Sequence, residues 1–242
     1  MKMKARFLWR AYKARFRDQV AEMGVLRRAL RPTDVVCDIG ANKGSYLYWL
    51  SRWVPGGRVI AFEPQESLAA YLRTVAESFQ LTNVTVEHKA VSAQRGRVEL
   101  FVPGGGVSPG ASLHLNEADR ARAKKTEVES ITLDAYFESG VRLAALKIDV
   151  EGAELGVFAG AQRILSEQAP VLVFECENRH LPSGSVYDVF KFLTGLGYQG
   201  QFIQGRHLKP LSEFDPAIHQ KQNGKRFWDA KDYYNNFVFR KR

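Results

Sequence analysis

The stretch VVCDIGANKGSYLYWL at residues 35–50 decides the fold class. It begins with residues typical of a buried strand, passes through a turn that contains Gly40 and Gly44, and ends in an apolar run that starts a helix. Glycines in such a turn let a ligand come close to the backbone. The helix that follows offers free backbone N–H groups in its first turn. The stretch therefore predicts a strand, a ligand-binding turn and a helix at the start of an α/β domain.

The rest of the chain alternates between strand-like and helix-like segments. The predicted strands are RVIAFE, TVEHKAV, AALKIDV and VLVFECE, and the predicted helices cover residues 43–53, 67–79, 153–165 and 186–196. This alternation predicts a Rossmann-like α/β fold, with a mostly parallel sheet and helices on both faces. Residues 95–133 interrupt the pattern and predict an inserted hairpin with a mobile, glycine-rich segment. The segments YQGQFIQ and YYNNFVFRKR predict a closing pair of strands.

The charge of the chain is concentrated at its start. The net charge is +9, and residues 1–31 carry ten Lys or Arg but only two acids, which leaves +1 for the rest. We therefore divide the chain into a basic amphipathic N-terminal arm, residues 1–31, and a main domain, residues 32–242. A helix is predicted over residues 3–29, with an apolar arc expected to face the domain. The members of that arc are Ala5, Leu8, Trp9, Tyr12, Phe16 and Met23.

Several roles fit such an arm. It can cover the domain with its basic face in solvent, lie on an anionic membrane, bind nucleic acid through phosphates, or act as a mitochondrial targeting segment. No apolar run reaches the length of a membrane-spanning helix, and no secretory signal is expected. The two cysteines, Cys37 and Cys176, fall in strands and predict buried, reduced thiols. We expect a cytoplasmic protein, with peripheral membrane contact left open and no indication of its oligomeric state.

The turn after the first strand distinguishes between two kinds of ligand. A dinucleotide site requires G-x-G-x-x-G, whereas this chain has D-I-G-A-N-K-G, which argues against a nicotinamide-dependent dehydrogenase. Asp38 would repel a phosphate but would suit the ammonium group of a methionine-derived ligand. Glu63, at the end of the next strand, can accept hydrogen bonds from two ribose hydroxyls. The combination favours S-adenosylmethionine.

At this point the chain resembles a known group, the class I S-adenosylmethionine-dependent methyltransferases and, within them, the FkbM family. The matching stretches are DIGANKGSY at 38–46, FEP at 62–64 and LKIDVEGAELGVFAGA at 146–161. The resemblance implies a seven-stranded sheet with an antiparallel last strand, and methyl transfer that usually goes to a hydroxyl oxygen. It also implies cofactor contacts. Asp38, Gly40, Asn42 and Gly44 would border the methionine part, Glu63 would hold the ribose, and His88, in the segment 87–91, would lie near the adenine.

The segment LKIDVEG carries the candidate catalytic groups. Lys147, Asp149 and Glu151 point to the same side of a strand, and two of them reach its carboxyl end, where ligands bind in such sheets. Glu175 arrives at the corresponding end of the next predicted strand, and His180 follows. Asp149, Glu151 or His180 can serve as the general base, and Asp149 can instead bind the cofactor or position the acceptor. Lys147 is expected to form a salt bridge with one of these acids.

Two smaller expectations concern the same edge of the sheet. Asp149, Glu151 and Glu175 are oxygen ligands of the kind that Mg²⁺ prefers, but their spacing is undefined, and we expect no metal. One of Asn235 and Asn236 is expected to face the sheet interior or the crevice.

Together these features predict an O-methyltransferase that acts on a hydroxyl of a sugar, a glycan or a secondary metabolite. A nucleic-acid substrate is disfavoured. The alternative is an inactive methyltransferase-fold module that docks to a membrane or to nucleic acid through its arm.

Overall fold

The structure is a computed structural model that describes residues 2–114, 120–181, 183–224 and 226–241, apart from the side chain of Asp229. The predicted glycine-rich segment at 103–118 therefore lies partly outside the described residues.

One large sheet forms the frame of the molecule. Its strands are β1 (Val35–Ile39), β2 (Arg58–Phe62), β3 (Val84–Glu87), β7 (Leu143–Ile148), β8 (Val171–Glu175), β9 (Gln199–Gln204), β10 (His207–Pro210) and β11 (Asn236–Arg240). They are arranged in the order β10-β9-β11-β8-β7-β1-β2-β3. Strands β3, β2, β1, β7 and β8 are parallel, and β11 is antiparallel to both β8 and β9. This confirms the mostly parallel sheet with an antiparallel last strand. The sheet has one strand more than the predicted seven, because β10 folds back on β9 at the edge.

A smaller sheet confirms the inserted hairpin. It consists of β4 (Ala90–Val91), β5 (Gly96–Pro103) and β6 (Ala123–Ile131), in the order β4-β6-β5. Strands β5 and β6 pair antiparallel along their whole length. Pro109, Ala111 and Ser112, which follow β5, lie close to the carboxyl ends of the parallel strands.

Helices cover both faces of the large sheet. After the arm they are α3 (Leu47–Trp53), α4 (Glu66–Ser78), α5 (Leu133–Tyr136), α6 (Glu154–Ala159), α7 (Gln162–Glu167), α8 (Val186–Gly195) and α9 (Pro216–His219). Alternate residues of the central strands enter two separate apolar clusters, as expected for strands that are buried on both sides. Cys37 and Cys176 are buried and unpaired, as predicted.

The arm is helical, but it presents a different face from the one predicted. It comprises α1 (Lys2–Lys13), a π-helical turn (Ala14–Asp18) and α2 (Val20–Ala29). Phe7 is fully buried and packs 5.2 Å from Phe79, centroid to centroid, whereas Trp9 and Phe16 are 61% and 58% exposed. Ala5 and Tyr12 are exposed as well, so the prediction that this arc faces the domain is wrong for four of its six members. The π-helical turn interrupts the 100° spacing on which the prediction depended.

The inner side of the arm belongs to the core of the domain. Phe7, Met23 and Leu26 share a buried cluster with Val36 of β1 and Val173 of β8. The division at residue 31 remains a prediction from sequence. Among the described residues, none of the helices combines the length and the apolar character needed to span a bilayer.

Candidate active site

A crevice opens at the carboxyl ends of β1, β2 and β7. Its polar lining includes Asn42, Glu63, Asp149 and Glu151, and its apolar lining includes Val91, Leu100 and Leu113. The parallel strands bring the first group together although it spans more than a hundred residues of sequence. This is the edge where ligands bind in open α/β sheets, as the sequence predicted.

Glu63 is fixed at the end of β2 by backbone groups. Its two carboxylate oxygens accept hydrogen bonds from the N–H groups of Asn42, at 2.7 Å, and Gln65, at 2.9 Å. The residue is only 2% exposed, and burial raises its pKa to about 7 although these bonds favour the charged form. A carboxylate has about four acceptor positions, so two remain for further donors. Two neighbouring hydroxyls of a ribose would satisfy them.

The rest of the crevice fits the other parts of S-adenosylmethionine. Val91, Leu100 and Leu113 offer an apolar surface for an adenine ring, next to the carboxylate that suits the ribose. Gly40 and Asn42 line the side of the first turn, where the amino acid end would lie. When bound, this cofactor supplies a methyl group on a positively charged sulfur, which is already activated for transfer. Of the segment predicted near adenine, Lys89, Ala90 and Val91 line the crevice.

Asp38 lies beneath the turn, in contact with Lys147. The two side chains are both buried, with 3.2 Å between Lys147 Nζ and Asp38 Oδ1. Lys147 Nζ also donates to the carbonyl oxygen of Gly40, at 3.0 Å, and lies 3.8 Å from Asp149. Burial opposes the charge, but Asp38 and Asp149 raise the pKa of Lys147. The predicted salt bridge is confirmed by the contact with Asp149, whereas the shorter one with Asp38, which supports the turn from below, was not predicted. A contact of Asp38 with the cofactor remains a prediction.

Two other predicted cofactor residues lie beside the crevice and not in its lining. A Cβ at Gly44 would press on Leu72 and Phe7, so this glycine faces the helices. His88 Nε2 is 3.0 Å from the carbonyl oxygen of Pro64, and the residue lines an adjoining depression. Their roles in cofactor binding remain predictions.

Asp149 lies where two cavities meet. It lines the large crevice and also a small polar cavity, whose lining includes Gln19, Tyr46, Glu175 and Asn236. Burial raises the pKa of Asp149 to about 6, and the charge of Glu151 adds to the shift although Lys147 opposes it. A carboxylate with this pKa is well suited to accept a proton near neutral pH.

Glu151 and His180 form a pair at the rim of the crevice. His180 Nε2 lies 2.7 Å from Glu151 Oε2. Burial disfavours the charged imidazole, but the contact with Glu151 raises the pKa of His180 above its ordinary value. Gly152 permits this approach, because a Cβ there would overlap the backbone carbonyl of His180. The loops after β7 and β8 are thereby joined at this point.

Glu175 and Glu177 share a hydrogen-bonded network that the sequence only partly suggested. Asn235 Nδ2 donates to both carboxyl groups, at 2.8 and 2.9 Å, so one of the two predicted asparagines does face the acids. Burial and the charge of Asp149 raise the pKa of Glu175 well above its usual range. Despite its burial, hydrogen bonds from Arg179 and Glu175 hold the pKa of Glu177 at about 2. The pKa of Glu175 thus lies above that of Glu177, so Glu175 is the more readily protonated acid of the pair.

Sequence reasoning missed the residues that close the crevice from above. Gln65 makes two hydrogen bonds with the backbone of Ser108, at 2.9 and 3.0 Å. The Ser112 hydroxyl, which is almost fully buried, donates to the backbone carbonyl of Glu151. Gln65 directly follows the FEP stretch, and its position was a usable signal. Ser112 carried none, because its partner is fixed only by the fold.

The described side chains of His, Cys, Asp and Glu include no group of three or more that is placed to hold a metal ion. The charged network around Glu177 is instead neutralised by protein cations, notably Arg179.

Glu63→Gln is expected to weaken the binding of S-adenosylmethionine roughly 10- to 100-fold, because hydrogen bonds to a charged acceptor contribute about 1.5–3 kcal/mol. Calorimetric titration of the variant would measure this. Glu66→Gln, on an exposed residue at the start of α4, is the matched control and should bind as the wild type does. Equal affinity in wild type and Glu63→Gln would exclude the carboxylate as the ribose partner.

Comparisons with protein families and with individual proteins identify methyltransferases as relatives of this chain. Residues 38–199 match the family model of the methyltransferase FkbM domain. The 31-O-demethyl-FK506 methyltransferase FkbM of Streptomyces tacrolimicus is 29% identical over 198 residues, which cover 70% of this chain and 74% of that protein.

Two solved structures share the fold. Methyltransferase FkbM from Methylobacillus flagellatus has a TM-score of 0.59 and 17% identity, with 95% of this chain covered and about half, 47%, of the other. A Streptococcus mutans protein in complex with SAH has a TM-score of 0.52 and 13% identity, with 91% and 96% covered. The match to the family model spans most of the chain and includes the first turn, Glu63 and the acids after β7. The chain therefore belongs to the FkbM family of S-adenosylmethionine-dependent methyltransferases.

Proposed function

We propose that this methyltransferase transfers its methyl group to a hydroxyl oxygen of a small molecule or glycan. The observation that carries the proposal is the position of Asp149, between the cofactor crevice and the small polar cavity. A hydroxyl is a weak nucleophile until it loses its proton, so its methylation requires a base next to the acceptor. Asp149 has both the place and the pKa, at about 6, for this role.

The neighbours of Asp149 can hold the acceptor while the proton leaves. Glu175 lines the same small cavity, and its raised pKa favours the protonated form, which can donate a hydrogen bond. An acceptor hydroxyl can then donate to Asp149 while its lone pair receives a hydrogen bond from Glu175. Such alignment contributes as much to group transfer as the base itself. Lys147, 3.8 Å from Asp149, keeps the carboxylate charged before the proton arrives.

Glu151 and His180 are proposed to position the acceptor at the rim. Their contact fixes the ring of His180, and the second ring nitrogen remains for a polar group of the substrate. The loop that carries Ser112 lies on the same side of the crevice. Substrate choice is therefore expected to depend on the residues after β8 and on the hairpin segment.

A relative supports oxygen as the acceptor atom. The name of the Streptomyces tacrolimicus protein, 31-O-demethyl-FK506 methyltransferase, describes methylation of an oxygen on a secondary metabolite. At 29% identity this supports the class of acceptor atom for the present chain and leaves its substrate to experiment.

Labelled cofactor offers a direct test. The protein is incubated with S-adenosylmethionine that carries an isotopically labelled methyl group and with panels of sugars, glycans and polyketide alcohols, each paired with its amine analogue. We expect the label in an ether of the alcohol and not in the matched amine. Label found on nitrogen or carbon would contradict O-methylation and would leave the family assignment intact.

A further inference from the structure

The outer side of the N-terminal arm carries an aromatic surface that the methyltransferase chemistry does not use. Trp9, Tyr12 and Phe16 are 61%, 48% and 58% exposed and lie within eight consecutive residues. The other large apolar side chains exposed in the described part of the chain are Val107, Leu155, Tyr187, Ile218 and Trp228, and no three of them fall within so short a stretch. Clusters of exposed apolar groups mark interaction sites, whereas scattered ones are ordinary.

These rings form a fixed surface. Tyr12 lies 5.1 Å from Trp49 of α3, centroid to centroid, and Phe16 lies 5.7 Å from it. Trp49 is itself anchored, because its Nε1 donates to the backbone carbonyl of Ala11 at 2.8 Å. The aromatic surface is defined as Trp9, Tyr12, Phe16 and Trp49, and the last three of these rings are packed together before any partner arrives. Little conformational entropy remains to be lost when it binds.

Positive charge surrounds the aromatic surface. Lys2, Arg6 and Arg17 are exposed on α1 and the π-helical turn, and Arg52 of α3 is exposed beside them. Lys13 Nζ lies 5.1 Å from the centre of the Trp9 ring. The arm has few acids to offset these groups. Asp18 engages Lys13 and Arg17, and Glu22 is buried.

The combination fits a lipid surface better than the other partners. Trp and Tyr rings settle at the headgroup level of a bilayer, and each exposed Lys or Arg gains from anionic phosphate groups. Single-stranded nucleic acid would need open ring faces for stacking, but Lys13 lies over Trp9 and Arg15 lies over Phe16. A protein interface would have to desolvate many like charges at once.

We propose that residues 2–18, together with Trp49 and Arg52, dock the protein on an anionic lipid bilayer. The arm lies flat on the surface, its rings at headgroup depth and its basic side chains against lipid phosphates. The inner side of the arm stays packed in the core through Phe7. This proposal does not depend on the identity of the methyl acceptor.

Vesicle sedimentation tests the proposal on the full chain. Wild type is expected to sediment with vesicles of phosphatidylcholine mixed with phosphatidylglycerol, to stay in solution with phosphatidylcholine alone, and to be released by high salt. The triple variant Trp9→Ser, Tyr12→Ser, Phe16→Ser should bind at least about ten-fold more weakly. Lys2→Gln combined with Arg6→Gln, which removes two exposed charges on α1, should lose about five-fold per removed charge.

Two matched control variants test whether the loss of vesicle binding is specific to the arm. Ile218→Ser removes an equally exposed apolar side chain, and Arg206→Gln removes an exposed arginine, both away from the arm. Both should sediment as the wild type does, and circular dichroism should show all variants folded. Equal sedimentation of the wild type and the triple variant would overturn the proposal. So would binding to a single-stranded oligonucleotide, lost in the triple variant, without binding to vesicles.

Discussion

Asp149→Asn is expected to lower kcat by about 10²–10⁴-fold, the usual contribution of a general base. The amide keeps the size of the side chain but cannot accept the hydroxyl proton. Cofactor affinity should change little, because Glu63 and the first turn hold that ligand. Steady-state rates and calorimetric titration on the same preparation would separate the two effects. Because a base works in its deprotonated form, kcat of the wild type should fall as pH drops below about 6.

A control variant and a pH profile distinguish the loss of the general base from general damage to the fold. Glu167→Gln removes an exposed carboxylate far from the crevice and should keep the wild-type rate. The acid limb of the pH profile should also disappear in Asp149→Asn, whereas a variant that merely disturbed the fold would keep it at a lower level. A wild-type kcat in Asp149→Asn would exclude this residue as the base and would leave His180, with Glu151, as the candidate.

Gly40→Ala is expected to destabilise the fold by about 3 kcal/mol or more, through left-handed backbone strain and overlap. Gly40 has φ of +73°, and a Cβ there would overlap the backbone carbonyl oxygen of Asp149. The turn after β1 and the end of β7 would have to separate. Because these two segments form one wall of the crevice, cofactor binding should be lost as well. Chemical denaturation and calorimetric titration would measure both effects.

Gly195→Ala is the matched control for that substitution. Gly195 ends α8, and a Cβ there would meet no atom within 4 Å. Alanine also has the higher helix propensity, so this variant should be as stable as the wild type or slightly more so. Equal stability of Gly40→Ala and Gly195→Ala would contradict the close approach of the turn to β7.

The sequence predicted the main sheet because its signals are local. Each parallel strand is a short apolar run between turns, and the glycines after β1 mark the turn directly. The face of the arm was not predictable in the same way. The choice between Phe7 and Trp9 as the buried residue depends on the π-helical turn at 14–18, for which the apolar periodicity contains no signal.

The residues of the site also fall into two groups, those with a local signal in the sequence and those without one. Glu63 and Asp149 were found from sequence because each ends a strand at the edge where ligands bind. Ser112 and Tyr233 were not found. Ser112 reaches Glu151 only because the inserted hairpin folds over the crevice, and Tyr233 reaches Glu177 only because β11 lies beside β8. Contacts between segments this far apart in the chain leave no pattern in a single sequence.

The π-helical turn makes the length of the arm a constraint on the protein. An α-helix advances about 100° per residue, so deleting one residue between 14 and 18 would rotate everything before it by that angle. Phe7 would lose its contact with Phe79, and the exposed rings of the arm, those of Trp9, Tyr12 and Phe16, would turn toward the domain. Changes in chain length are therefore expected to be far less tolerable in this turn than in the hairpin between β9 and β10, where Gly205 and Arg206 are exposed.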